Sequence, residues 1–215
     1  IDADNDQDAF VADDNGSISY FENTGNEIQP QFALPLTNPF GLSVVASLNK
    51  VQFMDTGNDG DLDLYVLAGG DISFCENTGT ASQPAFGPVQ TGIISNLPGN
   101  FIFQDFELVD VTNDGFADIV SIDNNDSINI HENVWGGMWP VFVPPSASLL
   151  GDLPDREEPA IALADLDGNG IKDMVLGSRF GTFHFYKNIG TTTQALFERV
   201  TANPFSLEND GRRPG

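Results

Sequence analysis

Four acidic stretches of this chain carry oxygen-bearing side chains at every second position: IDADNDQDAF at 1–10, DTGNDGDLDL at 55–64, DVTNDGFADI at 110–119 and DLDGNGIKDM at 165–174. Aligned as D-x-D-x-D-G-x-x-D, the last three place Asp55, Asp110 and Asp165 at position 1; in the first, that position falls just before Ile1. Position 3 holds Asp2, Gly57, Thr112 and Asp167, and position 5 holds Asp4, Asp59, Asp114 and Asn169. Position 9 is Asp8, Asp63, Asp118 and Asp173. Oxygens spaced in this way can wrap one hard cation. Asn5, Gly60, Gly115 and Gly170 at position 6 tolerate the left-handed backbone that such a sharp turn needs. The main-chain carbonyl of position 7 (Asp6, Asp61, Phe116, Ile171) would complete the shell, so the side chain there is free to vary.

Many all-oxygen ligands on flexible loops favour calcium over magnesium, with up to four Ca²⁺ sites in this chain. An EF-hand is excluded, because it needs a bidentate Glu at position 12 between helices, and Val11, Val66, Ser121 and Leu176 stand there. Paired catalytic carboxylates are also disfavoured, since a catalytic pair is not normally repeated in every structural unit. Loop 165–173 offers four side-chain ligands. Loop 55–63, with Gly57 at position 3, offers three, so it is expected to bind more weakly.

The elements that carry these loops repeat with them. Asp8, Asp63, Asp118 and Asp173 are spaced by 55, 55 and 55 residues. A second marker, ENTG, ENTG, HENV and KNIG, places Asn23, Asn77, Asn133 and Asn188 at intervals of 54, 56 and 55. A third is the aromatic Phe32, Phe86, Phe142 and Phe197, and NPFGL at 38–42 returns as NPFSL at 203–207. Between the markers lie short apolar or alternating runs bounded by turn formers. VQFM (51–54), FELV (106–109) and IALA (161–164) precede a loop. LYVLA (64–68), IVSI (119–122) and MVLG (174–177) follow one, and ISFCEN (72–77), SINIHEN (127–133) and TFHFYKN (182–188) come next. These are strand patterns, with no helical periodicity. The fold class expected is all-β. About four strands per 55-residue unit is the pattern of a β-propeller blade, so residues 1–215 read as four blades of a larger, partial propeller. The next loop would start near residue 220, so the remaining blades are expected from flanking sequence.

Composition narrows the function. With 32 acidic and 8 basic residues the formal net charge is −24 and the pI about 4.1, which excludes nucleic acid as a partner. Lys50 is the one Lys or Arg before Arg156, so no basic face meets anionic lipid, and no apolar run approaches the length of a membrane span. Cys75 is single, so neither an internal disulfide nor a thiolate zinc cluster can form. His131 and His184 are isolated at non-equivalent strand positions and read as structural. The third unit departs from pattern at NVWGGMWP, where Trp135, Met138 and Trp139 read as a seam plug before a stacking platform for a glycan. The run PDREEP at 154–159 reads as a solvated loop.

The loop motif, followed by a strand pair and F-E-N-T-G-x-x-x-x-P-x-F, resembles the FG-GAP/VCBS repeat family over the whole chain. Related calcium loops occur in integrin α-subunit propellers, and the ENTG-type copies are similar to secreted proteins of gliding, type IX-secreting bacteria. The resemblance implies a calcium-stabilised propeller, commonly of seven blades, that is extracellular or at the cell surface. Gly57 and Thr112 at position 3 and Asn5 at position 6 depart from the family pattern. The function expected is non-catalytic adhesion, scaffolding or protein assembly with a protein or glycan partner. The alternative is the propeller part of a secreted polysaccharide lyase or hydrolase.

Overall fold

The computed structural model describes residues 1–13, 15–43, 45–94, 101–134, 140–143, 159–178 and 181–200. Trp135, Met138 and Trp139, residues 154–158 and the NPFSL run at 203–207 lie outside the described residues. Among the described residues every regular element is a strand, and no helix is long and apolar enough to cross a membrane. Thirteen strands among the described residues form four small antiparallel sheets, none of which closes on itself. The chain divides into two compact units, residues 1–93 with 136–140, and residues 94–135 with 141–215.

In the first unit, β1 (Ala9–Ala12), β2 (Ile18–Phe21) and β3 (Leu36–Thr37) make one sheet. A second is built from β4 (Leu48–Met54), β5 (Asp63–Ala68) and β6 (Asp71–Cys75). Ile18, Leu48, Leu64, Val66, Cys75 and Phe86 form their shared core, flanked by Phe10, Phe40 and Phe53. The Phe10 ring lies 4.4 Å from that of Phe53 and 4.9 Å from that of Tyr20. In the second unit, β7 (Phe103–Val109), β8 (Asp118–Asp123) and β9 (Ile128–His131) form one sheet. The other contains β10 (Ala160–Ala164), β11 (Asp173–Gly177), β12 (Phe183–Asn188) and β13 (Phe197–Val200). Val109, Val120, Ile122, Ile128, Ile161, Met174, Leu176 and Tyr186 pack between them, each burial of this kind contributing about 1.5–3 kcal/mol before entropy. Asp105 adds a polar tie, its Oδ2 accepting the Ile161 amide at 2.8 Å.

The middle strands β5 and β8 are almost wholly buried, which explains why DLYVLA and DIVSID read as continuous rather than alternating apolar runs. Registers agree across the repeats: Ala9 faces Phe21, Leu64 faces Cys75, Ile119 faces His131 and Met174 faces Tyr186. The expectation of four strands per unit is met in full in one sheet, where FERV pairs with β12 as β13. In the first unit the outer strand shrinks to the two residues of β3 in one sheet and, in the other, to the single bridge between Phe74 and Gln90 among the described residues. Proline is the reason. Pro35 and Pro88 follow Phe32 and Phe86 by three and two residues, and a residue without an N–H interrupts a ladder; no proline follows Phe197 at that distance.

Three acidic loops each join the first two strands of a sheet, β4 to β5, β7 to β8 and β10 to β11, and the first leads into β1. Position 9 is the opening residue of β5, β8 and β11, and position 12 lies inside a strand in all four copies.

Candidate metal centre

Position 9 is held by a backbone clamp that recurs in every copy. One carboxylate oxygen accepts the amide of the marker asparagine: Asn23 to Asp8 at 2.8 Å, Asn77 to Asp63 at 2.8 Å, Asn133 to Asp118 at 2.9 Å and Asn188 to Asp173 at 2.9 Å. The other oxygen accepts the nitrogen of loop position 2, which is Ile1 (2.8 Å), Thr56 (3.2 Å), Val111 (3.0 Å) or Leu166 (3.2 Å). The asparagine side chain then fixes its own hairpin. Asn77 Oδ1 accepts the amides of Gly79 and Ala85, as Asn23 does those of Gly25 and Gln31, and Asn188 those of Gly190 and Leu196. Asn133 accepts the Val141 amide. Each asparagine also bridges the third marker, pairing with Phe32, Phe86, Phe142 or Phe197. The three sequence markers are therefore one spatial unit, joining loop, hairpin and outer strand.

Burial raises the Asp63 and Asp118 carboxyls to about 6, against the amides that stabilise their charge. Position 1 is clamped too. The two oxygens of Asp55 accept the Asp59 and Gly60 amides, those of Asp110 the Asp114 and Gly115 amides, and those of Asp165 the Asn169 and Gly170 amides. Position 5 accepts the amide of position 7 in all four loops. The backbone is left-handed at position 6 throughout, at Asn5 (φ 74°), Gly60 (92°), Gly115 (92°) and Gly170 (88°). It is left-handed at position 4 as well, at Ala3 (63°), Asn58 (54°), Asn113 (55°) and Gly168 (75°). The aligned motif does not specify that second turn, although Asn, Asn and Gly at three of the four positions are its signal.

The loops differ in what they bring together. Asp165, Asp167 and Asp173 place one carboxylate oxygen each within 4.8 Å of one another, and among the described residues no other group of three does so. At the same loop the Lys187 ammonium lies 2.7 Å from Asp167 Oδ2, and this hydrogen bond holds the Asp167 carboxyl below its ordinary value. Lys187 occupies the place of Glu22, Glu76 and Glu132 in the other copies. In loop 110–118 the Thr112 hydroxyl is turned onto Asp118 Oδ2 at 3.3 Å. In loops 1–8 and 55–63 position 7 is an aspartate, and its side chain has a feature the motif does not specify. Asp6 Oδ1 and Asp61 Oδ1 are buried with no hydrogen-bond partner, and the Asp61 residue is 8% exposed. Burial, then Asp59, Asp55 and Glu76, raise the Asp61 carboxyl.

His131 lies in the core with Nε2 3.0 Å from Ser121 Oγ, both residues fully buried, beside the Phe101 and Phe103 rings; burial lowers it to about 4. His184, half-buried on β12, lies with Nδ1 3.0 Å from the Arg199 guanidinium. Cys75 is a buried strand residue, its thiol pushed up to about 11 by burial.

No family model and no curated protein matches the sequence. Among solved structures the chain is similar to one in the crystal structure of BBS1N in complex with ARL6DN, soaked with lead, at 12% identity and a TM-score of 0.48, over 94% of this chain and 53% of that one. It is similar to one in a mutant Photorhabdus luminescens Tc holotoxin pore at 17% identity and a TM-score of 0.39, over 96% of this chain and 10% of that one. The chain thus spans about half the length of the first and a tenth of the second.

Proposed function

We propose that this chain is a calcium-holding segment of an FG-GAP/VCBS-type β-propeller that serves outside the cell as a non-catalytic adhesion, scaffold or assembly module for a protein or glycan partner. The observation that carries the reading is the grouping of Asp165, Asp167 and Asp173, on a backbone that the other three loops repeat. The donor set is all oxygen and suits calcium, and the unpartnered oxygens of Asp6 and Asp61 fit a cation in their loops. In the fourth loop Asp165, Asp167, Asn169, the Ile171 carbonyl and Asp173 would hold the ion. Asp55, Asp59, the Asp61 carbonyl and Asp63 would hold it in the second; Asp110, Asp114, the Phe116 carbonyl and Asp118 in the third; Asp2, Asp4, the Asp6 carbonyl and Asp8 in the first. The ion would supply positive charge to loops whose carboxylates otherwise repel one another.

A propeller is supported by four small sheets recurring every 55 residues, each with edges that ring closure would cover. A binding role is favoured over catalysis because the Ser121–His131 pair is sealed in the core, out of reach of any substrate. An extracellular setting fits calcium modules whose Kd lies near roughly 10⁻⁴–10⁻³ M.

Thermal melts in calcium and in chelator, with calorimetric titration, test the metal reading. Calcium should raise the melting temperature, and identical melts would overturn it. Retention of the protein on cell-surface glycan or protein arrays in calcium, lost in chelator, tests the binding role.

A further inference from the structure

We propose that the Asp61 side chain is itself a ligand of the cation in loop 55–63, taking the coordination place that Gly57 leaves without a side chain. This rests on the calcium reading of the loops and extends it to a residue whose carbonyl alone would be expected to take part. Asp61 is more than nine-tenths buried, and its Oδ1 has no hydrogen-bond donor. A buried carboxylate oxygen needs a donor or a cation. The charges that act on it are all negative: Asp59 and Asp55 of its own loop, and Glu76 from the end of β6. The other three aspartates of the loop already have amide partners: Asp55 holds Asp59 and Gly60, Asp59 holds Asp61, and Asp63 holds Thr56 and Asn77. Asp61 Oδ1 is thus the buried loop carboxylate oxygen with no donor, in the loop that has no side chain at position 3.

The feature recurs where the chemistry allows it. Asp6, at the same position of loop 1–8, also has a buried Oδ1 without a partner, and Asp4, Asp8 and Asp2 are its acidic neighbours. Phe116 and Ile171 fill that position in the other two loops and have no side-chain oxygen to offer. Counting Asp61, loop 55–63 would have four candidate side-chain ligands, Asp55, Asp59, Asp61 and Asp63, equal in number to loop 165–173, although its carboxylate oxygens are not drawn together as those of Asp165, Asp167 and Asp173 are.

The test is Asp61→Asn in the full chain, which keeps the shape and removes the charge, with Gly57→Asp added as a second variant. Calcium titration by calorimetry and melts in chelator and in calcium are the readouts. For the single variant, the melting temperature in chelator should equal or exceed that of the parent, because repulsion from Asp55, Asp59 and Glu76 is relieved. In calcium its stabilisation should be smaller, with one site weakened at least about tenfold, since loss of an outer-shell group alone costs ten- to a hundredfold. Gly57→Asp in the same background should restore affinity by supplying a carboxylate at position 3. Parent-like calcium affinity at every site in Asp61→Asn would overturn the proposal and leave the calcium reading standing. A parent protein that binds no calcium would overturn both.

Discussion

Asp63 and Asn77 belong to one clamp, and their substitution should read out differently from that of the open ligands. Removing the Asn77 carboxamide orphans the Gly79 and Ala85 amides, so Asn77→Ala is expected to cost about 2–3 kcal/mol, by the same amount in calcium and in chelator. Denaturant melts in both conditions check this, and a calcium-dependent loss would contradict a purely structural role. Losing Asp173 or Asp63 breaks backbone hydrogen bonds whether or not a cation is bound, so each substitution should cost stability in chelator as well, on top of the ligand it would remove in calcium. Lys187 makes the opposite case. Its ammonium occupies Asp167, so Lys187→Gln should tighten calcium at loop 165–173 by up to about fivefold, the range of an exposed ion pair, as measured by calorimetric titration. The greater strength expected of that loop from ligand number is opposed by this lysine, and a ligand role for Asp61 would strengthen its rival.

The loops and hairpins show where backbone conformation, rather than contacts, limits the sequence. Ala3 sits at φ 63°, in a region costly for any residue with a Cβ, so Ala3→Gly should stabilise the fold by up to about 1 kcal/mol. Gly60 has nothing within 4 Å of where its Cβ would stand, so Gly60→Ala should cost only the strain of its φ of 92°, about 1–2 kcal/mol. Gly79 is limited by space. An added Cβ would lie 2.2 Å from the Gln83 carbonyl oxygen, so Gly79→Ala should force the ENTG hairpin open at about 1–3 kcal/mol. Urea denaturation of the three variants gives the signs, and a destabilised Ala3→Gly would contradict the turn argument. Proline acts at the same scale, cutting the outer strand short after Phe32 and Phe86 and leaving β13 intact.

Across the whole chain the net charge of −24 and the buried carboxyls tie stability to pH and, on the calcium reading, to the cation as well. Four Ca²⁺ would bring −24 to −16. Asp63 and Asp118 bind their protons more tightly folded, at about 6, than at the ordinary 3.8, so their protonation favours the fold; that contribution is full below 3.8 and is lost as pH rises through 6. His131 acts in the other sense: its depressed value of about 4 gives stability that is present above 6.5 and lost as pH falls towards 4. The difference between melts in calcium and in chelator removes the His131 contribution. This difference should shrink from pH 7.5 to pH 5, as protons and calcium compete for Asp63 and Asp118. An unchanged difference across that range would contradict the competition. The sequence by itself determined the 55-residue repeat, the all-β class, the strand positions and the left-handed turn at position 6, because periodicity and turn chemistry act between residues close in the chain. It could not determine that Asn77 would clamp Asp63 from 14 residues away, that Lys187 would sit on Asp167, or that Asp61 would be buried without a partner. Those facts depend on which side chains packing brings face to face and which it shuts off from water, and only the tertiary structure decides that.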